Sequence, residues 1–182
     1  MISLEKYFYI DNIHQINLEY IKKTKAKVIL RTQLENKIDT YKKFISNCNS
    51  RRIEVFIYND VKLLFKLKSN NLYISSFNRK NFNHLKYINR NIKIIGSAHN
   101  ISEINQKFSQ GCNKIILSRI FKTYKKGYLD LVKFNKSILG FKNIIALGGI
   151  NSKNYKKLKM IKIEGFAMLS EIKNYPDFLI TA

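Results

Sequence analysis

Short runs of β-branched and aromatic residues alternate with amphipathic stretches along this chain. The runs fall at residues 7–10 (YFYI), 27–30 (KVIL), 53–58 (IEVFIY), 72–75 (LYIS), 92–95 (IKII), 114–117 (KIIL), 144–147 (IIAL) and 165–169 (GFAML). Between them apolar residues recur at helical spacing. Ile16, Leu18 and Ile21 mark a helix over 13–23, and further helices are predicted over 34–46, 61–68, 101–110, 128–138 and between Gly149 and Gly165. The segment 81–89 is short and only weakly helical, and 171–174 starts a last helical stub. Near-continuous apolar strands, each followed by a helix, predict a parallel sheet buried on both faces. About eight such units predict an α/β chain folded as a closed (β/α)8 TIM barrel rather than an open doubly wound sheet. Residues 1–182 read as a single barrel domain: no linker interrupts the pattern, Pro176 is the sole proline, and the few glycines sit at strand ends.

Composition narrows the function classes. The length suits one domain with a real core, and an apolar fraction of 45% excludes a disordered chain. No apolar run approaches the roughly 18–20 residues that span a bilayer, so no membrane partner is expected. The opening MISLEKYFYI has an early acid, no basic region and no small-residue cleavage site, so no signal peptide is expected. Cys48 and Cys112 fit neither a metal spacing nor a disulfide framework and read as reduced thiols of a cytoplasmic protein. A formal charge of +22 asks for a polyanion, either nucleic acid or a phosphorylated ligand. The lysines are spread over every predicted helix, and the arginines that base readout favours are scarce. The charge therefore reads as drift in a chain rich in Lys, Ile and Asn, with some help to anionic substrates. His14 and His84 have no metal-ligand partners and read as surface; the tyrosines and phenylalanines read as core and groove filler rather than a base-stacking platform. The sequence leaves open whether the chain forms a homo-oligomer.

In such a barrel, chemistry sits at the C-terminal ends of the strands. Those ends carry Arg31, Asn59 and Asp60, residues 75–78, residues 96–99, Thr123 with Lys125 and Lys126, Gly148 and Gly149, and Leu169 with Ser170. The last two strand ends, one with a glycine pair and one running into a new helix, make a phosphate cradle, unless the glycines serve only to turn the chain. Fixed cations, one carboxylate, hydroxyls and glycines are the inventory for binding phosphate or pyrophosphate with a metal ion. The ring does not look like a Ser–His–Asp hydrolase or a glycosidase with paired carboxylates.

Taken in order, VILR, IYND, IIGSAH, FKTYKK, IIALGGIN and GFAMLSEI resemble the thiamine phosphate synthase family, which includes the thiazole tautomerase TenI. The resemblance covers nearly the whole chain and is strongest over 94–172. It implies a (β/α)8 transferase that joins a pyrimidine pyrophosphate to a thiazole phosphate and releases pyrophosphate, with Mg²⁺ on the diphosphate. Arg31 would then grip pyrophosphate, Asn59 would bind it and Asp60 would ligate Mg²⁺. Lys126 would stabilise the leaving pyrophosphate, and Thr123 would touch the thiazole phosphate, whose cradle would be Gly148, Gly149, Leu169 and Ser170. Ser97 falls one residue from the family's serine after strand five. His99 matches a histidine that is a candidate for proton transfer, or else caps the next helix.

Departures from the family pattern cluster on the diphosphate side. Ile29 and Gln33 replace a glutamine and a lysine, and 73–78 reads YISSFN where the family has His-x-Gly-Gln-x-Asp. The second magnesium carboxylate is thus Asn78, which still offers a carbonyl oxygen. A unit charge pair about 4 Å apart is worth about 4 kcal/mol at an effective dielectric near 20, so this replacement weakens metal binding. Lys125 stands where a threonine belongs and adds a cation that offsets Gln33 in part. Alternatives to the synthase are a tautomerase or a non-catalytic thiazole-phosphate or thiamine-phosphate binder on the same barrel, and, from charge alone, a nucleic-acid-binding protein.

Overall fold

Eight parallel strands, hydrogen-bonded in chain order, close into a barrel when the last pairs with the first. The computed structural model describes residues 4–31, 38–124, 127–169 and 175–181. The strands are β1 (Glu5–Ile10), β2 (Lys27–Leu30), β3 (Val55–Tyr58), β4 (Asn71–Ile74), β5 (Lys93–Ala98), β6 (Lys114–Ser118), β7 (Ile144–Leu147) and β8 (Gly165–Met168). Around them lie α1 (Leu18–Thr24), α2 (Ile38–Ser50), α3 (Val61–Lys66), α4 (Leu85–Ile88), α5 (Ile101–Ser109), α6 (Asp130–Ser137) and α7 (Phe178–Thr181).

The period of two along each strand divides the side chains between two cores. Tyr7, Ile29, Phe56, Tyr73, Ile95, Ile116, Ile145 and Ala167, one from each strand, fill the barrel. Their neighbours Phe8, Val28, Ile57, Leu72, Ile94, Leu117, Ala146 and Phe166 belong to the outer layer, with Ile21, Leu64, Ile104 and Phe134 from the helices. Both faces of every strand are therefore apolar, which is why the strands stand out as continuous runs in the sequence.

The connections depart from the sequence pattern where asparagines capture backbone groups. Asn12 and Asn17 accept from the His14 and Tyr20 N–H groups, so the helix expected over 13–23 is split into a 3-10 turn (Ile13–Gln15) and α1. Between β7 and β8 the expected helix is a 3-10 turn, Tyr155–Met160. Here Asn154 Oδ1 accepts from Asn151 N–H and Asn151 Oδ1 from Lys153 N–H, local bonds that compete with a helical ladder. The start of the helix expected over 34–46 and the stub at 171–174 lie outside the described residues. Helix α7, which periodicity does not indicate, is held by long-range bonds: buried Lys6 donates to Leu179 O at 2.8 Å and the Tyr20 hydroxyl to Pro176 O at 2.7 Å. Among the described residues, no helix is long and apolar enough to cross a membrane.

At the N-terminal ends of the strands, charges of alternating sign form a network. Lys27 reaches Glu5 at 2.9 Å and Glu54 at 3.4 Å, Lys93 reaches Glu54 at 2.7 Å, and Lys114 reaches Glu5 at 2.7 Å. Burial by itself raises the Glu5 pKa, but hydrogen bonds from Lys114, Tyr7 and Lys27 outweigh it and bring the value down from 4.5 to about 2. Because the folded value lies below the unfolded one, ionised Glu5 stabilises the fold above the unfolded pKa. That contribution is lost as pH falls toward the folded value. We expect Glu5→Gln to lower the unfolding free energy by about 2 kcal/mol at neutral pH and to flatten its decline between about pH 5 and pH 2. Urea titrations across that range check this, and equal pH slopes in the two proteins would remove Glu5 from the role.

Candidate active site

The C-terminal ends of the strands open into a cavity of about 550 Å³. The wall from β1, β3 and β4 is aromatic. Tyr58 stacks on Tyr73 with centroids 5.7 Å apart and planes 25° from parallel, and Tyr9 meets Tyr73 edge-on at 5.6 Å. The Tyr9 hydroxyl donates to the Tyr73 hydroxyl at 3.1 Å. Burial raises both pKa values, so these hydroxyls stay protonated and serve as hydrogen-bond partners. The sequence reads these tyrosines as filler. Its one clue is alternation: Tyr9 lies two residues beyond the inward-facing Tyr7, on the same face and nearer the mouth.

Arg31, just past β2, lies over this wall with its guanidinium carbon 5.1 Å from the Tyr9 ring centroid. Asp11, past β1, takes two of its donors, Nε at 2.9 Å and Nη2 at 2.8 Å. Burial works against the guanidinium charge, but Asp11 outweighs it and holds the pKa above its usual value. The result is a preoriented arginine that keeps donors beyond the two on Asp11.

Asn59, Asp60 and Asn78 lie beside the cavity without lining it. Asn59 adopts a left-handed φ of +52° and staples two strand ends. Its Oδ1 accepts from Ser75 N–H at 2.9 Å and from Asn78 Nδ2 at 3.1 Å, while its Nδ2 donates to Ser75 Oγ at 2.9 Å. Asp60 is exposed and caps α3, its Oδ1 accepting from Leu63 N–H at 2.9 Å. Both ends of the Asn78 carboxamide are engaged, since its Oδ1 accepts from Lys80 N–H at 3.0 Å. No group of three or more His, Cys, Asp or Glu side chains gathers as a metal cage among the described residues. One exposed carboxylate suits Mg²⁺ only as an ion whose other ligands are substrate phosphate oxygens and water. Asp60 fits that requirement; Asn78, as placed, adds no free oxygen.

The opposite wall comes from β5 to β8. Ser118 Oγ lies 2.8 Å from His99 Nδ1, so the ring is fixed at the cavity and does not cap α5. That cap is Asn100, whose Oδ1 accepts from Glu103 N–H. Ser97, which is buried, lines the cavity together with the less buried Arg119, Thr123 and Leu169 and the exposed Lys122. Gly148 and Gly149 line it too, with φ of +107° and +68°. A Cβ on Gly149 would lie 2.5 Å from Lys122 O, and one on Gly148 would lie 2.8 Å from Arg119 Cβ. Both glycines are thus required by the chain's own β6 loop, which is bonded to the end of β7 through Ile120 N–H on Leu147 O and to the glycine pair through Phe121 N–H on Gly148 O. Turning the chain and lining the cavity are the same arrangement. The expected site residues Lys125, Lys126 and Ser170, and the substituted Gln33, lie outside the described residues. Arg31, Ser97, His99, Thr123, Gly148, Gly149 and Leu169 share one cavity.

Residues 11–172 of this chain match the family model described as thiamine monophosphate synthase. The chain belongs to that family. The thiamine-phosphate synthases of two Prochlorococcus marinus strains are 40% identical to it over 90 residues and 34% identical over 97 residues. Each match takes in 47% of this chain and 26% of the relative, so the match spans about a quarter of the length of those curated proteins. A thiamine phosphate pyrophosphorylase from Pyrococcus furiosus superposes with a TM-score of 0.75 at 16% identity, over 98% of this chain and 91% of that one. At that identity the likeness is one of fold. In this member of the thiamine monophosphate synthase family, the Tyr9–Tyr73 contact occupies the mouth beside the loop that follows β4.

Proposed function

We propose that this barrel joins a pyrimidine diphosphate to the ring nitrogen of a thiazole phosphate and releases pyrophosphate. The observation that carries the reading is the two-ended cavity: Arg31 on an aromatic wall at one end, and glycines with Arg119, Lys122 and Thr123 at the other. Breaking the C–O bond to the diphosphate leaves a resonance-stabilised pyrimidine cation, so the protein's task is to hold a departing polyanion and a planar cation. Arg31, preoriented by Asp11, takes charge developing on the leaving group. The faces of Tyr9, Tyr58 and Tyr73 turn the negative part of their quadrupole toward the ring cation, and their hydroxyls meet its polar edge. Ser97 offers a hydroxyl from the opposite wall and Asn59 backs the diphosphate side by holding Ser75, while Lys126, on the strength of the sequence resemblance, and Lys125, as an added cation, join them. Thr123, Gly148, Gly149, Leu169 and Ser170 hold the thiazole phosphate, which keeps the attacking nitrogen in line. Asp60 would hold Mg²⁺, which would neutralise charge on the diphosphate, and Asn78 would join by turning its carbonyl oxygen away from Lys80 N–H. His99, fixed at the cavity by Ser118, is the residue the tautomerase alternative would use for proton transfer. The buried, unpaired Cys48 and Cys112 accord with a cytoplasmic protein.

Calorimetric titration checks the two-ended reading. Pyrophosphate with Mg²⁺ and thiazole phosphate are each expected to bind once per chain and without competing. Mutual exclusion would mean a single anion site and sink the proposal.

A further inference from the structure

Lysine is among the residues least expected in a sealed core. Lys107 on α5 is fully buried, with 0% of its surface exposed. Its stem runs against β5 at Gly96, where a Cβ would lie 3.0 Å from Lys107 Cδ and 2.7 Å from Cys112 Sγ, so the strand forgoes a side chain where the lysine passes. Nζ emerges under the loop after β4 and donates to Asn78 O at 2.7 Å and to Gln110 Oε1 at 2.9 Å. Gln110 Nε2 donates to the same Asn78 O at 3.0 Å. Among the described residues Lys107 makes no ion pair, and burial draws its pKa below the ordinary lysine value. A buried ammonium solvated only by neutral oxygens is unfavourable, so its retention calls for a reason beyond packing.

The bonds lead from Lys107 toward the cavity. Asn78 reaches Asn59, Asn59 grips both the N–H and the hydroxyl of Ser75, and residues 75–77 line the mouth. We propose that Lys107 is a positioning residue that fixes the β4 loop through Asn78 and Asn59, setting the diphosphate half of the cavity with a buried positive charge behind it. This rests on the function proposed above.

Lys107→Met keeps the stem and removes the charge. Hydrogen exchange read by mass spectrometry is expected to quicken over residues 75–80 and to stay unchanged around Gly148. Pyrophosphate with Mg²⁺ should bind about tenfold more weakly, with thiazole phosphate unaffected. Asn78→Ala leaves the carbonyl for Lys107 but cuts the link to Asn59; it should show the same selective loss and decides the matter if Lys107→Met fails to fold. Unchanged exchange and affinity overturn the proposal, and so does an equal loss for both ligands, which would mark a purely structural lysine. A wild-type chain that takes up no pyrophosphate overturns the functional reading instead, and the exchange comparison then decides the positioning of the loop alone.

Discussion

Gly149→Ala is expected to lower the unfolding free energy by about 3 kcal/mol and to abolish uptake of thiazole phosphate. Two terms combine. The left-handed φ of +68° disfavours any side chain by about 1–2 kcal/mol. The added Cβ would also lie 2.5 Å from Lys122 O and 2.8 Å from Phe121 O, which are backbone atoms. They cannot step aside singly, because Phe121 N–H is bonded to Gly148 O and Ile120 N–H to Leu147 O. Relief would push the whole β6 loop, with Thr123, away from β7. Gly140 supplies the control: its φ is +84°, yet nothing lies within 4 Å of its Cβ position, so Gly140→Ala should cost only about 1 kcal/mol. Urea unfolding of both variants separates backbone strain from the clash. Equal destabilisation would show that the β6 loop is not seated on the glycine pair.

Arg31→Ala is expected to lower turnover about a hundredfold while leaving the fold close to wild type. Its side chain is 32% exposed and its charge partner Asp11 is 62% exposed, so the pair adds little stability. Its value lies in orientation, since two donors on Asp11 and a face on Tyr9 leave the rest of the guanidinium aimed at the mouth. Arg31→Lys should recover little, because an ammonium cannot span both Asp11 oxygens and still present a fork to a diphosphate. Asp11→Asn should loosen the arginine and raise KM for the diphosphate more than it lowers kcat. Steady-state kinetics on the three variants test this, and an Arg31→Ala enzyme with unchanged KM and kcat would remove Arg31 from the site.

The barrel was legible because its strands are apolar on both faces. The runs at 27–30 and 144–147 coincide with β2 and β7, and the other strands shift by only a few residues at their ends. Topology then did the work of assembling the site: once each strand end is on one rim, Arg31, Ser97, His99, Thr123, Gly148 and Leu169 must converge. What escaped the sequence depends on distances between residues far apart in the chain. Asp11 beside Arg31, Ser118 beside His99 and Tyr9 against Tyr73 carry no local signal. The breaks in the helices over 13–23 and before β8 had a local cause in asparagines whose side chains compete with the helical ladder. Lys107 was unreadable for a further reason: it is the single lysine of α5, and in a chain with so many lysines nothing local marks the one that is buried.

On the proposed function, the two ends of the cavity cooperate in one reaction. Purified protein mixed with pyrimidine diphosphate, thiazole phosphate and Mg²⁺ should release pyrophosphate and form thiamine phosphate in equal amounts, and omitting either organic substrate should stop both. Pyrophosphate release independent of thiazole phosphate, or no thiamine phosphate above background, would contradict it.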